Sequence, residues 1–161
     1  MKRKLEIELF EEHSNVNIYT IRFENESTEI DKFLDKFPVG CEFDKDISVI
    51  IRVLDTIGKR GALERYFRPE GKFKDNVSAL PIEDNDLRLY VIRVSDNILI
   101  LGNGGIKKTK KYNEDPELNS IVELLQRVDC LLKERIKQGL IQIRGKQLLG
   151  KLEFEIKLWK E

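Results

Sequence analysis

The stretch from Leu87 to Leu101 limits the choice of fold more than any other part of the chain. Leu87-Arg88-Leu89-Tyr90-Val91-Ile92-Arg93-Val94 and Ile98-Leu99-Ile100-Leu101 are two β-prone runs separated by Ser95-Asp96-Asn97. Asp and Asn tolerate the positive-φ backbone that a tight turn demands, so the segment reads as an antiparallel hairpin. Leu5-Ile7-Leu9 and Tyr19-Ile21-Phe23 alternate with polar residues around the turn-like stretch 11–15 and read as another hairpin. Leu140-Ile141-Gln142-Ile143 and Leu152-Phe154-Ile156-Leu158 read as two closing strands.

Between these lie segments of helical period. Thr28 followed by Asp31 resembles a capping box, and Ile30, Phe33, Leu34 and Phe37 share one helical face before Pro38 and Gly40. A second helix opens near Asp44 or Asp46, carries Ile47, Ile50, Ile51, Leu54 and Ile57, and is predicted to stop at Gly58. Asp115-Pro116-Glu117 offers a cap and a proline at N1 for a helix predicted to end at Gly139. Residues 64–81 read as irregular or a short strand, and Asn103-Gly104-Gly105 is predicted to break the strand that follows the central turn. Helices and antiparallel strands segregate, which predicts one α+β domain over residues 1–161. Its core is expected at about 28–136, with 1–27 and 140–161 as peripheral strands.

Composition excludes several classes. The 161 residues are 40% hydrophobic, with 29 basic and 29 acidic side chains. A domain of that size buries roughly two-thirds of its unfolded surface, and balanced charge argues against disorder. No apolar run approaches the ~20 residues of a membrane helix, and Met1-Lys2-Arg3-Lys4 leads straight into a strand pattern, so a cytoplasmic chain with no membrane partner is expected. Cys41, Cys130 and His13 are isolated from one another, so neither a metal site nor another cofactor is expected. His13 reads as an exposed loop residue, and Trp159 as a partner anchor or a cap on the last strand.

Charge is unevenly spread. Residues 1–60 carry 10 basic and 13 acidic groups, whereas 61–112 carry 10 and 7 and end in Lys107-Lys108-Thr109-Lys110-Lys111. Such a run is either a solvated face or a phosphate-binding segment. Arg88 and Arg93 are five apart on one strand, so they face opposite sides of the sheet. Unless a bulge intervenes, both cannot line one site, and one of them then reads as a surface or ion-pair residue near Glu83, Asp84 and Asp86. Tyr90 and Tyr112 have a packing reading as aromatic residues.

Helices, then the hairpin Leu87–Leu101, then Gly105-Ile106-Lys107-Lys108-Thr109-Lys110-Lys111, together resemble the RelE/HigB-like toxins of toxin–antitoxin systems and their phage-derived relatives. The resemblance covers roughly residues 28–136 and is most specific from Leu80 to Tyr112. It implies a sheet flanked by helices and a metal-independent mRNA endoribonuclease, often ribosome-associated, in which the RNA 2′-hydroxyl attacks the adjacent phosphate. It further implies translation inhibition and neutralisation by an antitoxin protein. By position, it casts Arg88, Lys108 and Tyr112 as catalytic, and Arg93, Lys107, Lys110 and Lys111 as RNA-binding. Such chemistry needs a base, an acid and positive charge for the phosphorane. The arginines and lysines suit the charge requirement. Tyr112, with an unperturbed pKa of about 10, would need its lysine neighbours in order to act as a base near pH 7. The chain departs from the family in its neutral charge and its greater length. The alternative is a non-catalytic module of the same fold that binds nucleic acid or a protein partner.

Overall fold

Residues 2–69 and 75–157 are described by a computed structural model. Two strands open the chain, β1 (Lys2–Glu12) and β2 (Asn17–Phe23), followed by α1 (Glu29–Lys36) and α2 (Asp44–Arg60). A 3-10 turn at Glu64–Tyr66 leads to β3 (Arg68–Pro69), β4 (Val77–Leu80), β5 (Leu87–Ser95) and β6 (Ile98–Ile106). A second 3-10 turn, Tyr112–Glu114, precedes α3 (Pro116–Lys137), and β7 (Ile141–Arg144), β8 (Gln147–Gly150) and β9 (Glu153–Lys157) close the chain. The class is α+β. Seven strands form one sheet in the order β3-β4-β5-β6-β2-β1-β9, and β7 with β8 forms a separate two-stranded ribbon. Every pairing is antiparallel except β2 with β6, which run parallel from Asn17 beside Ile98 to Thr20 beside Leu101.

Two of the helices begin at a side-chain cap, whereas α2 starts after Phe43 without one. Thr28 Oγ1 accepts from the Asp31 backbone N–H at 3.2 Å, which caps α1. Asp115 Oδ1 accepts from the N–H groups of Glu117 and Leu118 at 2.9 and 3.2 Å, which caps α3. The stripe Leu118, Val122, Leu125, Val128 and Leu132 then packs α3 on one face of the sheet, against Tyr19, Ile21, Tyr90, Ile92 and Ile100. On the other face α1 and α2 bury Ile30, Phe33, Ile50 and Ile57 against Ile18, Leu87, Leu89, Val91 and Leu101. Alternate residues of β5 therefore serve two cores, and its near-continuous apolar run is that of a strand covered on both faces.

Several boundaries differ from the sequence reading. Gly58 is not a stop: α2 continues to Arg60 and leaves the helix at Gly61, whose φ is 111°. A Cβ at Gly58 would collide with the imidazole of His13, so the glycine is a socket that seats the β1–β2 turn. His13 is accordingly half-buried instead of lying free in a loop. Gly102–Gly105 does not break β6. The strand runs to Ile106 with a bulge opposite Leu89–Val91, and a Cβ at Gly104 would collide with the Arg88 carbonyl oxygen. The chain between the closing strands folds into the unforeseen β8. Residues 1–27, expected at the periphery, supply β2, which lies between β6 and β1 with nearly every side chain buried. Leu158 and Trp159 lie outside the described residues.

Candidate nucleic-acid interface

The segment that links β6 to α3 carries the basic run, and backbone hydrogen bonds fix its course. The Lys107 N–H donates to the Asp86 carbonyl at 2.9 Å, tying the end of β6 to the loop before β5. Thr109 Oγ1 donates to the Lys111 carbonyl at 2.6 Å. Lys111 N–H donates to Glu114 Oε1 at 2.9 Å, while Glu114 N–H returns to the Lys111 carbonyl at 3.2 Å. Thr109, which has no derivable role in sequence, thus closes the turn. Lys108, Lys110 and Lys111 are exposed on it, whereas Lys107 and Tyr112 are half-buried.

Tyr112 faces inward. Its ring meets Tyr90 edge-on, with centroids 6.5 Å apart and an interplanar angle of 61°, and Tyr90 is a fully buried core residue. The packing reading of both tyrosines describes this geometry.

Arg88 is buried and not on the surface. It is 5% exposed, and its Nη1 donates to the carbonyls of Asn85 at 2.5 Å and Leu87 at 3.1 Å. It shares the α3 side of β5 with Tyr90, two residues on. Strand parity assigned Arg88 and Arg93 to opposite faces, and they do lie so, but parity does not tell which faces are covered. Here both are.

Arg93 lies at the wrong end of the hairpin for the basic run. Its Nε donates to the Ala62 carbonyl at 2.6 Å, its Nη2 pairs with Asp96, and Glu64 stands 3.9 Å from Nη1. It therefore holds the chain after α2 against the β5–β6 turn. Arg93 pairs beside Leu99 while Leu87 pairs beside Ile106, and six residues of strand span about 20 Å. The expected cluster thus resolves into an exposed lysine turn, an inward Tyr112, a buried Arg88 and a remote Arg93.

One cation that the sequence reading missed joins the C-terminal end of β6. Lys36 Nζ, in the last turn of α1, donates to Asn103 Oδ1 at 3.1 Å and to the Gly104 carbonyl at 2.9 Å. Glu117 Oε1, at the start of α3, lies 3.4 Å away. β2 stops pairing with β6 at Thr20–Leu101, so this ammonium covers the strand edge left open beyond that point. Asn103, a buried polar side chain in an apolar strand, is the one sequence signal that pointed there.

A separate charged cluster occupies the face of β1 and β2 that the helices leave bare. Arg22 bridges Glu6 at 2.8 Å and Glu8 at 3.1 Å. The hydrogen bond shared with Glu8, aided by slight burial, raises the Glu6 pKa from its ordinary value, with Arg22 opposing. Glu8 in turn raises that of Arg22. A polar groove of about 220 Å³ runs beside them, lined by Lys4, Glu24 and Glu153 among others. Among the described residues no group of three or more His, Cys, Asp or Glu side chains stands close enough to hold a metal ion, and no helix is long and apolar enough to cross a membrane. No protein-family model, curated protein or solved structure matches the chain.

Proposed function

We propose that the chain is a RelE/HigB-like protein that engages RNA through the Lys107–Lys111 turn and acts as a metal-independent mRNA endoribonuclease. Translation inhibition, and neutralisation by an antitoxin, follow from that reading. The observation that carries it is the turn itself: Lys108, Lys110 and Lys111 project into solvent directly after the last strand of the central hairpin. Ammonium groups held by an ordered backbone suit both a nucleic-acid backbone and the extra charge of a phosphorane. The stabilising role first given to Arg88 passes on this reading to the lysines, with Lys108 foremost.

The burial of Arg88 and the inward packing of Tyr112 favour a second reading. In it the same turn binds nucleic acid or a protein partner without cutting. Tightly controlled expression in a bacterial host separates the two. Growth arrest with new mRNA ends, lost in Lys108→Ala, is the outcome for a ribonuclease toxin. Normal growth with abundant folded protein would refute the toxin reading and leave the binding module. Lys108 is exposed, so the substitution leaves the fold intact.

A further inference from the structure

A second concave surface lies on the α1–α2 side of the molecule, away from the lysine turn. Residues of the two helices and of the end of β1 line a groove of about 270 Å³. Phe33 and Ile50, both core residues, form its floor, and Phe10, Leu34, Ile51 and Leu54 form its walls. Ile51 is 53% exposed and stands beside the half-buried Leu34 and Leu54 on the groove wall. Glu11 and Asp55 stand exposed on the rim. His13 closes one end, its Nε2 3.0 Å from Glu11 Oε1. That end adjoins the β5–β6 turn, since Asn97 Nδ2 donates to the Asn15 carbonyl at 2.9 Å, whereas Lys107 follows the opposite end of β6.

The carboxylates that line the groove, Glu11 and Asp55, are acidic, while cations stand beside the border: Lys146 Nζ donates to the His13 carbonyl at 2.8 Å, and Arg52 and Lys59 are exposed on α2. On α1, Asp31 and Asp35 are the exposed residues next round the helix from Leu34, on its open flank. On α2, Asp55 follows Ile51 by one turn. Lys59 lies 3.0 Å from it, and both are more than half exposed, so that pair is weak and open to competition. An apolar floor with an acidic border is the counterpart of an amphipathic helix with basic flanks. The volume is below the ~300–1,000 Å³ of small-molecule clefts and suits a few aliphatic side chains. A second copy of this chain fits poorly. The three helices among its described residues already bury their apolar faces in the two cores, and two such grooves set face to face would oppose carboxylates.

We propose that this groove docks a basic amphipathic helix of a partner protein. Apolar residues spaced i, i+3 or i+4, and i+7 seat against Leu34, Ile51 and Leu54, and flanking lysines or arginines meet Glu11, Asp31, Asp35 and Asp55. The docking does not depend on the RNA reading, because the lysine turn stays open when the groove is filled.

The test uses the full chain and two fluorescein-labelled synthetic helical peptides of fifteen or so residues. Both carry leucine at the spacing above; one has lysine flanks and the other glutamate. By fluorescence anisotropy the lysine peptide binds and the glutamate peptide does not. Ile51→Ser, at an exposed position that leaves the fold intact, weakens binding tenfold or more. The double variant Asp35→Lys/Asp55→Lys reverses the preference between the peptides. Binding unchanged in both variants, or no binding of the lysine peptide, would overturn the proposal. So would a dimer of the wild-type chain in sedimentation that Ile51→Ser dissolves, since the occupant would then be a second copy.

Discussion

Replacing Arg88 separates a structural arginine from a catalytic one. The side chain is 5% exposed and donates to two backbone carbonyls at the N-terminal end of β5. Hydrogen bonds from a charged donor are worth about 1.5–3 kcal/mol, and alanine also removes two buried methylenes at about 0.8 kcal/mol each. Relief of a buried charge offsets part of this. Arg88→Ala therefore destabilises by about 3–4 kcal/mol, while Arg88→Met, which keeps the stem, costs about 1–2 kcal/mol. With a urea m-value of about 2 kcal/mol/M, the alanine midpoint falls by roughly 1.5–2 M and the methionine midpoint by less than half as much. Chemical denaturation at constant m reads this directly. An Arg88→Ala protein with the wild-type midpoint that has nonetheless lost its action on RNA would refute the reasoning and return Arg88 to the site.

Three further outcomes follow from the packing and the charges. Gly104→Ala lowers stability by at least about 1–3 kcal/mol in thermal melts, because the new Cβ meets the Arg88 carbonyl oxygen and lies 2.9 Å from Phe33 Cε1, and backbone cannot step aside. Asp129→Ala costs about 1.5–3 kcal/mol by the same assay, since the buried carboxylate accepts from the Asn76 backbone and side-chain amides at 3.2 and 3.3 Å and pairs with Lys133 at 2.9 Å. Glu6, with its folded pKa raised, keeps a proton that the unfolded chain has already lost, so its contribution to stability falls as pH rises through and just above the ordinary glutamate range. Glu6→Gln removes that decline. Stability-against-pH curves for the two proteins meet at low pH and separate above this window, with the variant the more stable, by a small margin because the pair is part-exposed.

The local signals legible in sequence were those in which a few adjacent residues decide the outcome. Thr28 with Asp31, Asp115 with Pro116, and the Ser95-Asp96-Asn97 turn each act within one turn of chain, and each stands where the pattern placed it, although neither Asp96 nor Asn97 takes the positive φ expected of that turn. Apart from β8, which pairs locally with β7, the misreadings share one cause, which is that the deciding neighbour is remote in sequence. Gly58 resembles a helix stop until His13, 45 residues earlier, fills the space above it. Gly104 resembles a strand break until the Arg88 carbonyl crowds the position of its missing side chain. Arg88 resembles a surface arginine until α3 covers its side of β5. The parallel pairing of β2 with β6 is likewise invisible locally, because the continuous apolar run of Ile98–Leu101 marks a strand covered on both faces without naming its neighbour, and the alternation of β2 fits either direction. At the site, the exposed lysines were legible from their density. The direction of Tyr112 and the reach of Lys36 depend on tertiary packing.

The central claim is that the Lys107–Lys111 turn is the RNA contact, and the salt dependence of RNA binding tests it most directly. For single strands, the log–log slope of affinity against salt is about −0.7 per phosphate neutralised. If Lys108, Lys110 and Lys111 each meet a phosphate, replacing all three with alanine lowers the magnitude of the slope by about 2 and weakens binding at every salt concentration. Filter binding of a single-stranded RNA by the purified wild-type and triple-variant proteins, from low to physiological salt, gives both slopes. A shallower line for the variant, with its melting temperature unchanged, is the predicted result. Two parallel lines of equal affinity would contradict the account and move the interface elsewhere on the molecule.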